Sequence, residues 1–228
     1  MYLKVVLHRC GELYQEGGIR EVYRGIRDYI EHDLGSDYQE RRSDNETRWK
    51  FISSHIDEDA QSLIDIGCAE GEFAARAAEM GLDVTGFDRN VTRLHTARTE
   101  HAEYSNLRFE KADLTPETID ELPEADVILF LTVHHHWVKA YGWDEAASMV
   151  RTLLKKGGTV IYEPPGHIAI KESTEAGSLE PENSISYYTQ ILESEFGESV
   201  RIVDAMLAEY KSDSDRADPI FVLDSGSN

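Results

Sequence analysis

The segment Asp65-Ile66-Gly67-Cys68-Ala69-Glu70-Gly71 sets two glycines between an apolar run and the start of a helical pattern. Gly67 and Gly71 allow a turn whose backbone comes close to a ligand. The second expected strand ends in Gly86-Phe87-Asp88, and the third is followed by Ala112-Asp113. An acid at the first of these places can accept hydrogen bonds from both hydroxyls of a ribose, and an acid at the second can accept from an adenine amino group. Each feature alone is weak. In order, at successive strand ends, they describe a pocket for a nucleotide-type cofactor. A dinucleotide would call for G-x-G-x-x-G, with its pyrophosphate on a helix N-terminus. Here position 69 is alanine, and Glu70 and Glu72 stand where the diphosphate would lie. Two acids suit a cofactor that lacks phosphates and carries positive charge, so a nicotinamide oxidoreductase ranks as a distant third reading.

A second group of reactive side chains follows later strands. Leu131-Thr132-Val133-His134-His135-His136-Trp137 falls at the end of the fourth apolar run, and Tyr162-Glu163-Pro164-Pro165 at the end of the fifth. Three consecutive histidines in an extended or turning chain point in different directions and rarely chelate one ion, so no metal site is expected. Glu163 could act as a general base, accept a hydrogen bond from a substrate hydroxyl, or be a strand-end carboxylate. Arg42 and Arg48 are the cations that could place a carboxylate-bearing substrate; both also read as ordinary helix or linker charge.

These residues need a scaffold, and hydrophobic periodicity supplies one. Strands are expected at Ser62 to Ile66, Asp83 to Phe87, Leu107 to Lys111, Asp126 to Val133 and Gly158 to Glu163. Helices are expected at Phe73 to Met80, Val91 to Ala102, Pro116 to Leu122 and Asp144 to Lys155. Alternation of this kind means a parallel sheet covered by helices on both faces. The rhythm breaks after a helix from about Ser184 to Glu195. Ser199 to Glu209 and Pro219 to Asp224 read as strands joined by the polar loop Tyr210 to Asp218, too short for a crossover helix, so they should pair antiparallel. Residues 1–58 read as an N-terminal helical extension or lid and residues 59–228 as one α/β domain. Within the extension, Ile19, Val22, Tyr23, Ile26, Tyr29 and Ile30 trace an amphipathic helix. A second helix, capped by Asp44, contains Trp49, Phe51 and Ile52.

The 228 residues carry a formal charge of −21, with 44 acidic and 23 basic side chains. The acids are spread along the chain and arginine outnumbers lysine, which is the pattern of a salt-adapted surface. The basic footprint of a nucleic-acid binder is missing. No apolar run approaches the roughly 18 residues of a spanning helix, and no signal peptide is visible. Cys10 and Cys68 cannot form a disulfide framework, which favours a reducing cytoplasm.

The glycine turn, Asp88 and Asp113 together resemble the class I S-adenosylmethionine-dependent methyltransferases over about residues 60 to 225, with Ala69 in place of the usual middle glycine. The resemblance implies a Rossmann-like α/β sheet of order 3-2-1-4-5-7-6 with its last strand antiparallel. It implies S-adenosyl-L-methionine held by Asp65, Gly67, Cys68, Ala69, Gly71, Asp88, Ala112, Asp113 and Leu131. Members of this superfamily often carry a His pair after the fourth strand, which makes His135 and His136, with Glu163, the candidate catalytic residues. His134 has no such support. The nucleic-acid amino-methyltransferases place an Asp/Asn-Pro-Pro-aromatic motif after the fourth strand, and Pro164-Pro165 lie one strand too late for it.

The stretch from His135 to Glu145, including Tyr141, and Asp218-Pro219-Ile220-Phe221-Val222-Leu223 are similar to methyltransferases of surface-glycan pathways. The resemblance therefore implies O-methylation of a sugar or uronic acid, as a free or lipid-linked glycan acceptor, with Arg48 and Tyr141 contacting it. A carboxylate or phosphate acceptor would need no base, whereas a sugar hydroxyl would. Peripheral contact of residues 1–33 with the inner face of the cell membrane would fit such an acceptor, since residues 1–30 carry one net positive charge. Two competitors remain: a methyltransferase for a small metabolite, lipid or RNA, and a non-catalytic partner subunit that keeps the fold.

Overall fold

A computed structural model describes residues 45–164, 183–197, 200–210 and 213–224. The helix expected around residues 19–30, Arg42 and the Asp44 cap lie outside the described residues. With elements numbered in chain order, α1 is Asn45–Ser53, β1 Ser62–Ile66, α2 Glu72–Glu79, β2 Asp83–Asp88, α3 Val91–Glu100 and β3 Leu107–Lys111. A short 3-10 turn at Ile119–Glu121 precedes β4 Ala125–Phe130, α4 His134–Tyr141, α5 Trp143–Lys156 and β5 Gly157–Tyr162. The described chain closes with α6 Ser184–Phe196, β6 Arg201–Tyr210 and β7 Asp213–Asp224.

The strands form one sheet of order β3-β2-β1-β4-β5-β7-β6. β1 pairs parallel with β2 and β4, whereas β7 runs antiparallel to both β5 and β6. The central strands are apolar because both of their faces are covered. Leu63, Ile64 and Ile66 of β1 and Val127, Ile128, Leu129 and Phe130 of β4 are all buried. On one side of the sheet α2 packs through Ala74, Ala77 and Ala78, whose small side chains permit close approach, together with Leu94 and Ala97 of α3 and Ile52 of α1. On the other side Ala146, Met149, Val150, Leu153 and Leu154 of α5 meet Tyr188, Leu192 and Phe196 of α6. α5 begins with Asp144 and Glu145 and ends with Lys155 and Lys156, charges that suit both poles of its dipole.

Three elements differ from the sequence reading, the first being the helix expected at Pro116 to Leu122, of which only the 3-10 turn Ile119–Glu121 forms. The chain turns at Leu131 and becomes helical at His134, so a separate helix precedes α5, with Gly142 at φ 84° between them. The final hairpin is also longer than expected, because β7 begins at Asp213 and not at Pro219. Asp213 to Ala217 extend the ladder with β6 beyond the part of β7 that meets β5, and no alternating apolar pattern marks them. Pro219 is tolerated there because it precedes Phe221, where pairing with β5 begins.

Candidate functional site

The carboxyl ends of β1, β2, β4 and β5 converge on one edge of the sheet. β1 runs into the glycine turn, whose Gly67 and Cys68 N–H groups donate to the Phe87 carbonyl at 2.7 and 3.1 Å. Ala69 lies in the left-handed region at φ 52°, costing roughly 1–2 kcal/mol relative to a glycine. That conformation lets its N–H donate to Asp88 Oδ2 at 3.0 Å. Asp88 Oδ1 accepts from the Asn90 N–H at 2.7 Å, and Asn90 in turn caps α3. Gly71, at φ 84°, begins α2, and a Cβ there would stand 2.6 Å from Phe109 Cε1. The turn therefore requires glycine at position 71 and endures alanine at position 69.

Asp65 sits beneath this turn, 4% exposed. Burial, and then the Asp88 charge, raise its carboxyl pKa to about 7; Arg48 and the Ala74 N–H lower it only in part. The same surroundings push the buried Cys68 thiol far above its usual range, so Cys68 stays protonated. Two neighbouring acids short of positive charge fit a ligand that brings its own. Ala112 donates its N–H to the Asp88 carbonyl at 3.1 Å, which sets Asp113 at the far side of the same edge. Burial, then the charges of Asp113 and Glu117, raise the pKa of Tyr141, at the end of α4, so that helix ends beside the Asp113 loop.

At the end of β4, Leu131 is buried and Thr132 takes φ 61°, a conformation that costs a β-branched residue on the order of 1–3 kcal/mol. Thr132 Oγ1 donates to Glu163 Oε2 at 3.1 Å, and Arg48 Nη2 donates to that same oxygen at 2.8 Å. Arg48 is 5% exposed and Glu163 1% exposed, and the guanidinium also lies 5.0 Å from the Phe73 ring centroid. The structure thus joins two residues 115 positions apart that the sequence treated separately. Arg48 is buried, not a solvent-facing helix charge.

His134 points away from the other two histidines, whose rings lie together. His134 turns inward, where Nδ1 meets the Tyr162 hydroxyl, and burial lowers its pKa to about 3, so it is neutral. His135 is half-buried and His136 exposed, with ring centroids 3.9 Å apart on the first turn of α4. Among the described residues, no group of three or more His, Cys, Asp or Glu side chains is placed to hold a metal ion. Sequence reasoning missed Thr132 and His134. A left-handed threonine has no sequence signal, and a buried histidine in a run of three looks like its neighbours.

Residues 64–160 match the family model described as a methyltransferase domain. The ubiquinone biosynthesis O-methyltransferase of Stutzerimonas stutzeri is 32% identical over 135 residues, which are 57% of this chain and 55% of that protein. The O-antigen chain terminator bifunctional methyltransferase/kinase WbdD of Escherichia coli is 29% identical over 114 residues, 49% of this chain and 16% of that protein. The chain spans about half the length of the ubiquinone methyltransferases that it matches. A crystal structure of WbdD superposes with a TM-score of 0.62 at 20% identity, over 80% of this chain and 41% of that one. Magnesium protoporphyrin IX methyltransferase from Synechocystis PCC 6803, solved with bound SAH, gives 0.55 at 15% identity, over 79% of this chain and 81% of that one. The sheet order and the glycine turn agree with the family match: residues 64–160 are a methyltransferase domain, similar to those of the class I S-adenosylmethionine-dependent methyltransferases.

Proposed function

We propose that the chain is an active O-methyltransferase whose acceptor is a sugar or uronic acid of a surface glycan, lipid-linked or free, and that it works in concentrated salt. One observation carries the cofactor half of this reading: a buried Asp65 beside Asp88, short of positive charge, under a turn followed by Glu70 and Glu72. Bound S-adenosylmethionine supplies an already activated sulfonium methyl. The protein's own residues then have three tasks. Asp88 presents its carboxylate to the ribose hydroxyls while bracing the turn through Ala69 and Asn90. Asp65 offers negative charge to the cationic end of the cofactor. The Leu131 to His136 segment holds the acceptor in line and shields it from water, which is where positioning yields most of the rate. For a hydroxyl acceptor, His135 and His136 are the groups at this edge that can take its proton. Glu163 is already engaged by Arg48 and Thr132.

The glycan reading is supported by WbdD, which is similar both in sequence and in fold. A second reading, a small phenolic acceptor, is supported by the similarity to the ubiquinone methyltransferases. Transfer of radiolabelled methyl from S-adenosylmethionine to lipid-linked oligosaccharides, free uronic acids and a dihydroxylated benzoquinol, run side by side, separates them. Label in the glycan fraction, carried with liposomes and lost without residues 1–33, supports the first reading together with its membrane-face location. Label in the benzoquinol alone overturns it in favour of the second.

A further inference from the structure

The left-handed backbone at Thr132 has no glycine to make it easy, and it lies between the buried end of β4 and the first histidine of α4. Contacts centred on Glu163 hold it. Thr132 Oγ1 donates to Glu163 Oε2, Arg48 donates to the same oxygen from α1, and the Glu163 N–H donates to the Phe130 carbonyl at 3.0 Å, fixing the strand ends together. On the far side of the turn, Val133 packs so closely over Gly67 that a Cβ there would overlap its Cγ2. The Val133 carbonyl then accepts from the His136 N–H at 2.9 Å, which begins the helix. One chain of contacts therefore runs from α1 through the end of β5 to the His turn and onto the cofactor turn.

We infer that Arg48, Glu163 and Thr132 form a buried positioning lock that holds the turn after β4 in its left-handed form and so sets where His135 and His136 stand relative to the Gly67 turn. The inference deepens the methyl-transfer reading and rests on it for the functional meaning of that placement, though not for the lock itself. Strained backbone persists only where its surroundings over-determine it, and here the surroundings are a salt bridge buried on both sides. The lock makes a specific demand. A residue that adopts positive φ without cost should no longer need the hydroxyl or its acceptor.

The test is ring NMR of the full chain labelled at histidine, with the His135 and His136 signals assigned by single His→Gln replacements. The variants are Thr132→Val, which removes the hydroxyl, Thr132→Ser, which keeps it, Thr132→Gly, and Glu163→Ala with and without Thr132→Gly. In Thr132→Val and Glu163→Ala the His135 and His136 signals should move by more than a line width, while those of His95 on α3 and His101 just after it stay. Thr132→Ser should match the parent, and Thr132→Gly should restore the parent positions in the Glu163→Ala background. Unmoved His135 and His136 signals in folded Thr132→Val, or equal displacement with and without the glycine, would overturn the lock. Glu163→Ala removes the carboxylate that pairs with the buried Arg48; if it does not fold, the Thr132 series alone decides. Titration of the same samples with S-adenosylmethionine reads the cofactor assignment separately, so a moved histidine pair with no cofactor binding would leave the lock standing and remove the methyl-transfer reading.

Discussion

Asp65 is the residue whose chemistry most exceeds what its letter announces. Its folded pKa near 7 lies above the 3.8 of a free side chain, so the folded state binds a proton more tightly than the unfolded chain between those values. Stability contributed by protonated Asp65 is complete below about pH 4, falls as pH rises toward 7, and levels off above it. Asp65→Asn should therefore stabilise the ligand-free protein at pH 8 by on the order of 2–4 kcal/mol and change little near pH 4, as thermal melts across that range would show. In the parent, affinity for S-adenosylmethionine should tighten with rising pH up to about 7, while Asp65→Asn binds it weakly at every pH. A melting advantage for Asp65→Asn that does not depend on pH would contradict this. The position of Asp65, Asp88 and Asp113 at successive strand ends was legible from order and spacing alone. Their burial and mutual repulsion were not, because they arise from helices that fold over the turn. The pairing of Arg48 with Glu163 was equally hidden: no local pattern connects a helix before β1 to the end of β5.

At the scale of elements, β2 and β3 must lie close enough for Phe109 to cover the glycine turn. A Cβ on Gly86 would stand 2.7 Å from Phe109 Cδ1 and 2.9 Å from Cys68 Sγ, and both neighbours are buried. Gly86→Ala should cost about 1–3 kcal/mol by overpacking. Phe109→Leu in the same chain should recover more than half of that loss in denaturant unfolding, whereas additive penalties would show that the two positions do not meet. β1 and β3 fell where hydrophobic patterning put them, β1 as a short apolar stretch and β3 by the alternation of Leu107 and Phe109 with charged residues. α4 was not foreseen. His134 to Tyr141 carry neither a cap nor a regular apolar stripe, and the helix owes its place to Trp137 packing on Phe130 with ring centroids 4.6 Å apart. The start of β7 was missed for a related reason, since the sequence from Asp213 to Ala217 shows no apolar alternation and the strand there is defined by its pairing with β6.

For the whole molecule, the net charge of −21 and a pI near 4.7 place uncompensated carboxylates over the surface. Raising ionic strength from about 0.1 M to 1 M shortens the screening length from about 10 Å to about 3 Å. The melting temperature should rise by roughly 5 °C or more over that interval, and a flat or falling response would show that self-repulsion is not limiting. The antiparallel pairing of the last two strands was legible from the short loop between them, whereas the full sheet order came from the family resemblance. Among the described residues, no helix is long and apolar enough to cross a membrane. The most direct test of the account is calorimetric titration of the full chain, in molar salt, with S-adenosylmethionine and with NAD, repeated on Asp88→Ala. The account predicts one site of about micromolar affinity for S-adenosylmethionine, no heat with NAD, and a loss of roughly tenfold or more in the variant. Absence of S-adenosylmethionine binding, or a preference for NAD, would contradict it.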